Sequence, residues 1–221
     1  MKLILNGLIK FIVGLLLVGV LIFLPAGTFN YIGGQVFVAL LFIPVFIMGA
    51  VMLVKAPDLL RKRLYGKEKE NTQKGVVAVS ALIFLGGFIM AGLDFRFSWS
   101  NVSGAVQIIA SVLFLASYAL YAEVMRENVY LSRTIEVQKN QKVIDTGLYG
   151  IVRHPMYSAT VILFLSMPLV LGSIISFVVF LAYPLIIAKR IRNEEEVLEE
   201  GLEGYKDYKK KVKYRLVPFV W

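Results

Sequence analysis

The chain has 221 residues, of which 58% are hydrophobic and 18% charged, with a mean hydropathy of +0.72, a composition typical of integral membrane proteins. It contains no cysteine, which excludes disulfide scaffolds, thiolate nucleophiles, Cys-ligated zinc and iron–sulfur clusters. The net charge of +9 does not indicate nucleic-acid binding, because the basic residues lie beside apolar segments, where the positive-inside rule already accounts for them.

The first half of the chain predicts transmembrane helices. A hydrocarbon core about 30 Å thick requires about 20 apolar residues of helix. Four segments meet this length, at residues 3–24, 36–54, 76–93 and 102–122. Lys10 interrupts the first segment and no small-residue cleavage site follows it, so we expect a retained span rather than a signal peptide. We therefore assign residues 1–122 to four amino-terminal transmembrane helices within a single membrane domain, residues 1–221.

Residues 158–188 predict a transmembrane hairpin. The stretch is too long for one helix and too short for two full ones, and Pro168, Gly172 and Ser173 lie in its middle. Two short or tilted helices fit this pattern. The predicted fold is therefore an all-α integral membrane protein with about six transmembrane helices, or five if the hairpin does not fully cross the bilayer.

The distribution of charge predicts the orientation. Lys and Arg are retained on the cytosolic side of short loops, and here they concentrate in two loops and in the tail from Lys189 onward. The loop residues are Lys55, Arg61, Lys62, Arg63, Lys67, Lys69, Lys74, Arg126, Arg133, Lys139, Lys142 and Arg153. The opposite loops are nearly bare of charge. We expect both termini in the cytosol, a location in the cell (inner) membrane, and a helical carboxyl-terminal tail along the membrane surface.

The densest cluster of chemically useful residues is the run 145–157, directly before the hairpin. Two glycines in it allow close approach of the backbone to a ligand, and Tyr149 and Tyr157 offer flat faces and hydroxyls. Taken alone, His154 is typical of a structural hydrogen-bond donor at a helix start, and Arg153 of a residue that reaches for the membrane interface. His154 is the only histidine, which rules out a multi-histidine site, so we predict no metal.

A second cluster follows the last apolar stretch. Arg190 and Glu194 lie four residues apart, on one face of a helix, where an ordinary surface ion pair would be the simplest interpretation. Their position at the hydrocarbon boundary favours a different one, because charged groups there are costly unless they line a polar cavity. We therefore expect Arg190 and Glu194 to share a pocket with His154.

Together these motifs resemble the isoprenylcysteine carboxyl methyltransferase family in its prokaryotic branch, which is related to the phospholipid methyltransferases. The similar elements, in order, are residues 143–149, Arg153-His154-Pro155-Met156-Tyr157, the hairpin, and residues 190–198, 204–208 and 212–218. The resemblance covers residues 133–221 and rests on the order and spacing of several motifs. The first four helices are similar only as generic apolar helices.

The resemblance implies an S-adenosylmethionine-dependent methyltransferase whose catalytic, cofactor-binding region is residues 123–221. The residues implied for cofactor binding are Gln141, Lys142, Val143, Ile144, Tyr149, His154, Pro155, Met156, Tyr157 and Glu194. Arg190 and Glu194 are implied as catalytic, with Arg190 associated with the substrate. Residues 202–205 depart from the Phe-Gly-x-x-Tyr element of the eukaryotic enzymes, and Gln138 is a candidate for their upstream glutamine. Because of these departures, the resemblance implies the cofactor but does not identify the methyl acceptor.

Several functions agree with this pattern. The leading hypothesis is methyl transfer, at a site facing the cytosol, to a lipophilic or small acceptor similar to an isoprenylcysteine carboxylate and drawn from the membrane lipid. A phospholipid, an amine or a thiol are alternative acceptors. An NADPH-dependent membrane reductase of the sterol reductase type is a second hypothesis, because such reductases resemble the carboxyl-terminal pattern. A membrane scaffold or transporter is a third, but the spans lack the expected charges apart from Lys10. No residue pattern indicates an oligomeric state.

Overall fold

The structure is a computed structural model that describes residues 2–65, 71–131 and 137–221. Within these ranges the regular secondary structure is helical. The helices are α1 (Lys2–Ala26), α2 (Ile32–Lys55), α3 (Pro57–Tyr65), α4 (Asn71–Phe97), α5 (Gly104–Glu127), α6 (Pro155–Val170), α7 (Ile174–Phe180), α8 (Tyr183–Gly201) and α9 (Tyr205–Lys211), with a single 3-10 turn at Gly147–Gly150. Lys67, Lys69 and Arg133, which contributed to the predicted orientation, lie outside the described residues.

Among the described residues, five helical stretches are long and apolar enough to cross a membrane. They are Lys2–Ala26, Ile32–Lys55, Gly75–Phe97, Gly104–Glu127 and Ile174–Gly201, the last of which combines α7 and α8. The sixth apolar helix, α6, has only 16 residues. The prediction of an all-α integral membrane protein is confirmed, and each of the four amino-terminal spans begins and ends within a few residues of its predicted bounds.

The hairpin turns where Gly172 and Ser173 predicted it. Gly172 has a φ of +80°, a left-handed conformation that glycine adopts without strain, and the Ser173 hydroxyl caps α7 by accepting the Ser176 backbone N–H at 3.0 Å. The second arm breaks again between α7 and α8, just before Pro184. The predicted helical tail begins as a continuation of the last membrane helix, since α8 runs past residue 188 to Gly201.

Helix α6 lies at the centre of the helix packing. It packs along α5 and also contacts α2, α4, α7 and α8. The core around it is aromatic, and its largest fully buried side chains include Phe37, Phe114 and Phe180. Small residues allow the helices to approach closely: a Cβ on Gly92 would lie 2.5 Å from the Ile22 carbonyl oxygen. This packing fixes the start of α6 against the end of α5, where the polar cavity lies.

Asp94 fixes the opposite end of the hairpin. The carboxylate is only 1% exposed and accepts hydrogen bonds from the Ser100 backbone N–H, at 2.6 Å, and from the Ser173 hydroxyl. A buried carboxylate is stable only when its oxygens are satisfied in this way. Asp94 therefore joins the end of α4 to the turn between α6 and α7, and the hairpin is held at both ends.

Candidate active site

A polar cavity lies where α6 begins and α8 ends. Its walls come from the loop after α5, the start of α6, α8, and the tyrosines of α9. The lining residues are Asn128, Tyr130, Leu131, Gln141, Lys142, Val143, Ile144, Tyr149, Arg153, His154, Met156, Tyr157, Arg190, Glu194, Leu198, Leu202, Tyr205 and Tyr208. Residues far apart in the sequence thus meet in one concave surface.

Tyr157 connects the two helical walls. From the first turn of α6, its hydroxyl accepts a 2.8 Å hydrogen bond from Nε of Arg190 and donates a 2.6 Å bond to Oε2 of Glu194. The side chain is 5% exposed. A guanidinium and a carboxylate four residues apart on α8 are therefore held in fixed positions by a phenol from another helix. The cavity consequently contains a fixed cation and a fixed anion side by side.

Behind this wall lies a buried ion cluster around Glu195. Its Oε1 accepts a 2.7 Å hydrogen bond from Nε of Arg153 and lies 3.2 Å from Nε2 of His154. Its Oε2 accepts bonds of 3.0 and 2.9 Å from Arg215. The side chains of Arg153 and His154 are each 4% exposed and that of Glu195 is 3% exposed. Because so many donors converge on one carboxylate, the cluster fixes the orientation of the Arg153–His154 segment.

The turn before α6 is shaped by Gly147. This residue has a φ of +53°, and a Cβ there would lie 1.7 Å from Oε1 of Glu127. The Glu127 carboxylate occupies that space because it accepts the Leu148 backbone N–H at 3.0 and 3.2 Å. Only glycine allows this approach. The contact brings the end of α5 against the turn and places Tyr149 in the cavity wall.

Three tyrosines outside the membrane-spanning helices provide hydroxyl groups around the cavity. Burial raises the pKa of Tyr149, Tyr205 and Tyr208 above the ordinary value of about 10, so these phenols stay protonated at neutral pH. The Tyr149 hydroxyl accepts a 2.9 Å bond from the Asn128 side-chain amide, and the Tyr208 hydroxyl donates a 2.7 Å bond to the Tyr149 carbonyl. The buried Tyr205 hydroxyl has no hydrogen-bond partner among the described residues.

The cavity gathers nearly all of the residues that the sequence predicted for the site. The ones that line it are Gln141, Lys142, Val143, Ile144, Tyr149, His154, Met156, Tyr157, Arg190 and Glu194. Pro155 does not line it and instead begins α6 as a buried first residue. Gln138 does not line it either, and its side chain donates to the Tyr130 carbonyl. His154 is both a cavity residue and a structural hydrogen-bonding residue, and Arg153 is buried rather than directed to the interface.

Sequence reasoning missed Glu195 and much of the α9 side of the cavity. Glu195 follows Glu194 directly, but neighbouring residues on a helix point about 100° apart. A search for partners four residues from Arg190 therefore selects Glu194 and passes over Glu195. Leu202, Tyr205 and Tyr208 read as an amphipathic surface pattern, yet they pack with Val143 in a small buried cluster. That tail lies against the protein, and periodicity does not distinguish a protein surface from a membrane surface.

Two comparisons with known proteins bear on this site. Residues 107–200 match the model of the isoprenylcysteine carboxyl methyltransferase family. A Delta(14)-sterol reductase of Mus musculus is 29% identical over 91 residues, which make up 40% of this chain and 22% of that protein. The chain thus matches about a fifth of that relative's length. The family match confirms the resemblance predicted from the sequence and supports a membrane methyltransferase.

Proposed function

Because residues 107–200 match the isoprenylcysteine carboxyl methyltransferase family, we propose that the protein is an S-adenosylmethionine-dependent membrane methyltransferase. The observation that carries the proposal is the single cavity in which residues 141–144, His154 and Tyr157 meet Arg190 and Glu194. In this proposal residues 123–221 form the catalytic region, and residues 1–122 form the membrane scaffold on which it is built.

The cavity residues suit a sulfonium nucleoside. The Glu194 carboxylate would attract the cationic end of the cofactor, and the backbone of residues 141–144 offers donors and acceptors for its polar groups. The unpartnered Tyr205 hydroxyl is a buried donor and acceptor with no other role in the described residues. The cavity encloses about 100 Å³, whereas ordinary ligand pockets hold about 300 Å³ or more, so we expect residues 137–144 and α8 to separate on binding.

The chemistry requires no metal or covalent enzyme intermediate. The cofactor supplies an electrophilic methyl group, which passes to the acceptor's nucleophilic atom while the sulfur leaves as a neutral thioether. The chain's own contribution is alignment. Arg190, fixed by Tyr157, would orient an anionic or polar group of the acceptor, and the buried walls would exclude water. Well-aligned reactants can gain about 7 to 11 kcal/mol in the best intramolecular examples.

The acceptor is proposed to arrive from the bilayer and the cofactor from the cytosol. The cavity lies where α6 and α8 reach the end of their apolar stretches, so a lipophilic acceptor could approach sideways from lipid. Basic residues such as Lys142 and Lys189 lie at this same end, which by the positive-inside rule is the cytosolic one. The proposal therefore includes a cell-membrane location with both termini in the cytosol. An isoprenylcysteine-like carboxylate, a phospholipid, an amine or a thiol would suit the site.

A membrane reductase that uses NADPH is the second candidate, because the matched mouse protein is a sterol reductase. Thermal unfolding of the purified protein with each ligand separates the two. S-adenosylmethionine or S-adenosylhomocysteine should raise the melting temperature, and NADPH should not. Stabilisation by NADPH alone would overturn the methyltransferase proposal in favour of the reductase.

The binding residues and the acceptor need separate experiments. Calorimetry with S-adenosylhomocysteine should detect weaker binding to Glu194→Ala, whereas Glu200→Ala, an exposed position on the same helix, should bind as the parent does. Equal affinities would remove Glu194 from the cofactor site. Transfer of a radiolabelled methyl group into total lipid, thiol and small-acid pools would then identify the class of acceptor.

A further inference from the structure

The segment Val212–Trp221, here called the strap, is bonded to the start of α6. Arg153 and His154 each donate a backbone N–H to a strap carbonyl at 2.9 Å, and the Ser158 hydroxyl donates to another at 2.6 Å. The Arg153 guanidinium donates to two more strap carbonyls at 2.7 and 2.8 Å. The strap therefore holds the Arg153–His154 segment, which forms one wall of the cavity. A movement of the strap would move this wall with it.

The last part of the strap folds back on itself. The main-chain oxygen of Trp221 accepts backbone N–H groups from residues 215, 216 and 217 at 2.9 to 3.1 Å. Phe219, at the tip of this closed loop, has a φ of +65°, which is a strained conformation for a residue with a side chain. The surrounding hydrogen bonds hold the strained residue in place. The tip is thus a defined structure that projects Phe219 in a fixed direction.

The two faces of the strap differ in their surroundings. Leu216 and Trp221 are partly buried and pack against the cluster that contains Tyr157, on the inner side. The other face is apolar and exposed, with Val217 at 50%, Phe219 at 87% and Val220 at 77%. A patch of adjoining exposed apolar side chains is typical of a surface that contacts another protein or the membrane.

The surroundings of this face match a lipid leaflet. The inward side of the strap packs on the apolar helix α6 and on α8, part of a stretch long and apolar enough to cross a membrane, so the exposed face lies beside a surface that these helices would turn to lipid. Four lysines, at positions 209, 210, 211 and 213, precede the apolar tip; the first three pair with carboxylates of the protein, and Lys213 is exposed. An apolar tip next to clustered cations is the pattern of a segment that inserts below the headgroups of an anionic membrane.

We propose that Val217, Phe219 and Val220 insert into the hydrocarbon of the leaflet beside the cavity. The strap then anchors the Arg153–His154 wall to the bilayer through the hydrogen bonds between them. This anchoring keeps the cavity mouth at the depth where a lipid-dissolved molecule would reach it. The insertion itself depends only on the strap and the bilayer, not on methyl transfer.

The depth of the tip can be measured directly, because the chain contains no cysteine. A nitroxide attached to a Phe219→Cys variant in lipid vesicles should be accessible to oxygen, which dissolves in hydrocarbon, and protected from a water-soluble nickel complex. Leu16→Cys, exposed in the middle of α1, gives the hydrocarbon reference. Lys206→Cys, exposed on α9, gives the aqueous reference. The ratio of oxygen accessibility to nickel-complex accessibility summarises the depth of the label. A ratio for Phe219→Cys nearer to the Lys206→Cys value than to the Leu16→Cys value would overturn the proposal.

A second variant tests the cause of the insertion. Val217→Ser and Val220→Ser, added together to the labelled Phe219→Cys chain, should move the ratio towards the aqueous reference, because the apolar face is reduced. An unchanged ratio would contradict a role for that face. Both measurements use the protein without cofactor or acceptor, so their result is independent of whether the proposed methyl transfer is correct.

Discussion

The Tyr157 hydroxyl donates a 2.6 Å hydrogen bond to Oε2 of Glu194, across the gap between α6 and α8. The Tyr157 hydroxyl oxygen also accepts a 2.8 Å bond from Nε of Arg190. Tyr157 therefore does more than line the cavity, since it sets the positions of the two charged groups on α8. Its removal should loosen both of them while the helices stay in place.

Replacing Tyr157 with Phe tests this connection. Glu194 and Arg190 would each lose a hydrogen bond in a buried site, which typically costs about 1–3 kcal/mol. We expect weaker binding of S-adenosylhomocysteine by calorimetry and a lower turnover. Tyr118→Phe is the matched control, because Tyr118 also donates one hydrogen bond, at 3.0 Å to the Leu41 carbonyl, but lies in α5 away from the cavity. Equal affinities in the two variants would contradict the role of Tyr157.

Arg190→Ala separates substrate orientation from cofactor binding. If Arg190 orients the acceptor, turnover should fall by about 100-fold or more. Removing one hydrogen-bond donor that stabilises charge in the transition state has an effect of this size in other enzymes. Binding of S-adenosylhomocysteine should change far less than in Glu194→Ala. Arg192→Ala removes an exposed arginine two residues along the same helix and should leave both properties unchanged. Normal turnover in Arg190→Ala would exclude Arg190 from the reaction.

The spans could be predicted because their pattern is local, whereas most of the cavity residues were expected from the family resemblance. Apolar length alone locates α1, α2, α4 and α5, since the thickness of the bilayer sets the length of a span. The spacing of Arg190 and Glu194 predicted that they share one helical face, and their position at the hydrocarbon boundary suggested a pocket shared with His154; all three line the cavity. The span assignments use a single physical length, and the shared face uses residues within about one helical turn.

The remaining features depend on contacts between distant segments. The break between α7 and α8 occurs at residues 181–182, whereas Pro168 lies in the last turn of α6 without ending it. The role of Tyr157 between Arg190 and Glu194 requires α6 and α8 to be side by side. No periodicity in the sequence contains that information. The strap, which the sequence predicted as part of the helical tail, is not helical and is defined by its bonds to α6.

Glu195→Gln tests the buried ion cluster. The change removes the negative charge that Arg153, His154 and Arg215 share, and an uncompensated buried charge typically costs about 3–5 kcal/mol. We expect a clearly lower melting temperature in detergent. Glu196→Gln, at the next and exposed position, should change stability by less than about 0.5 kcal/mol. A parent-like melting temperature for Glu195→Gln would mean that the cluster does not stabilise the start of α6.

Gly147→Ala tests the turn that presents Tyr149. A left-handed φ costs a residue with a side chain about 1–2 kcal/mol, and the new methyl group would also displace the Glu127 carboxylate. Both stability and cofactor affinity should fall, as measured by thermal unfolding and calorimetry. Gly86→Ala, where a Cβ meets no heavy atom within 4 Å, should alter stability by no more than about 1 kcal/mol. Similar losses of stability and cofactor affinity in Gly147→Ala and Gly86→Ala would contradict a specific requirement for glycine at this turn.

Tyr205 and Tyr208 form a matched pair, because both are buried phenols on α9 but only one hydroxyl has a partner among the described residues. Tyr208→Phe removes a 2.7 Å bond to the Tyr149 carbonyl and should destabilise the ligand-free protein by about 0.5–1.5 kcal/mol. Tyr205→Phe removes a hydroxyl that makes no described bond, so the ligand-free melting temperature should stay the same or rise. Because Tyr205 lines the cavity and its hydroxyl has no partner among the described residues, S-adenosylhomocysteine should bind more weakly to Tyr205→Phe. Unchanged affinity there would mean that the cofactor does not reach the Tyr205 hydroxyl.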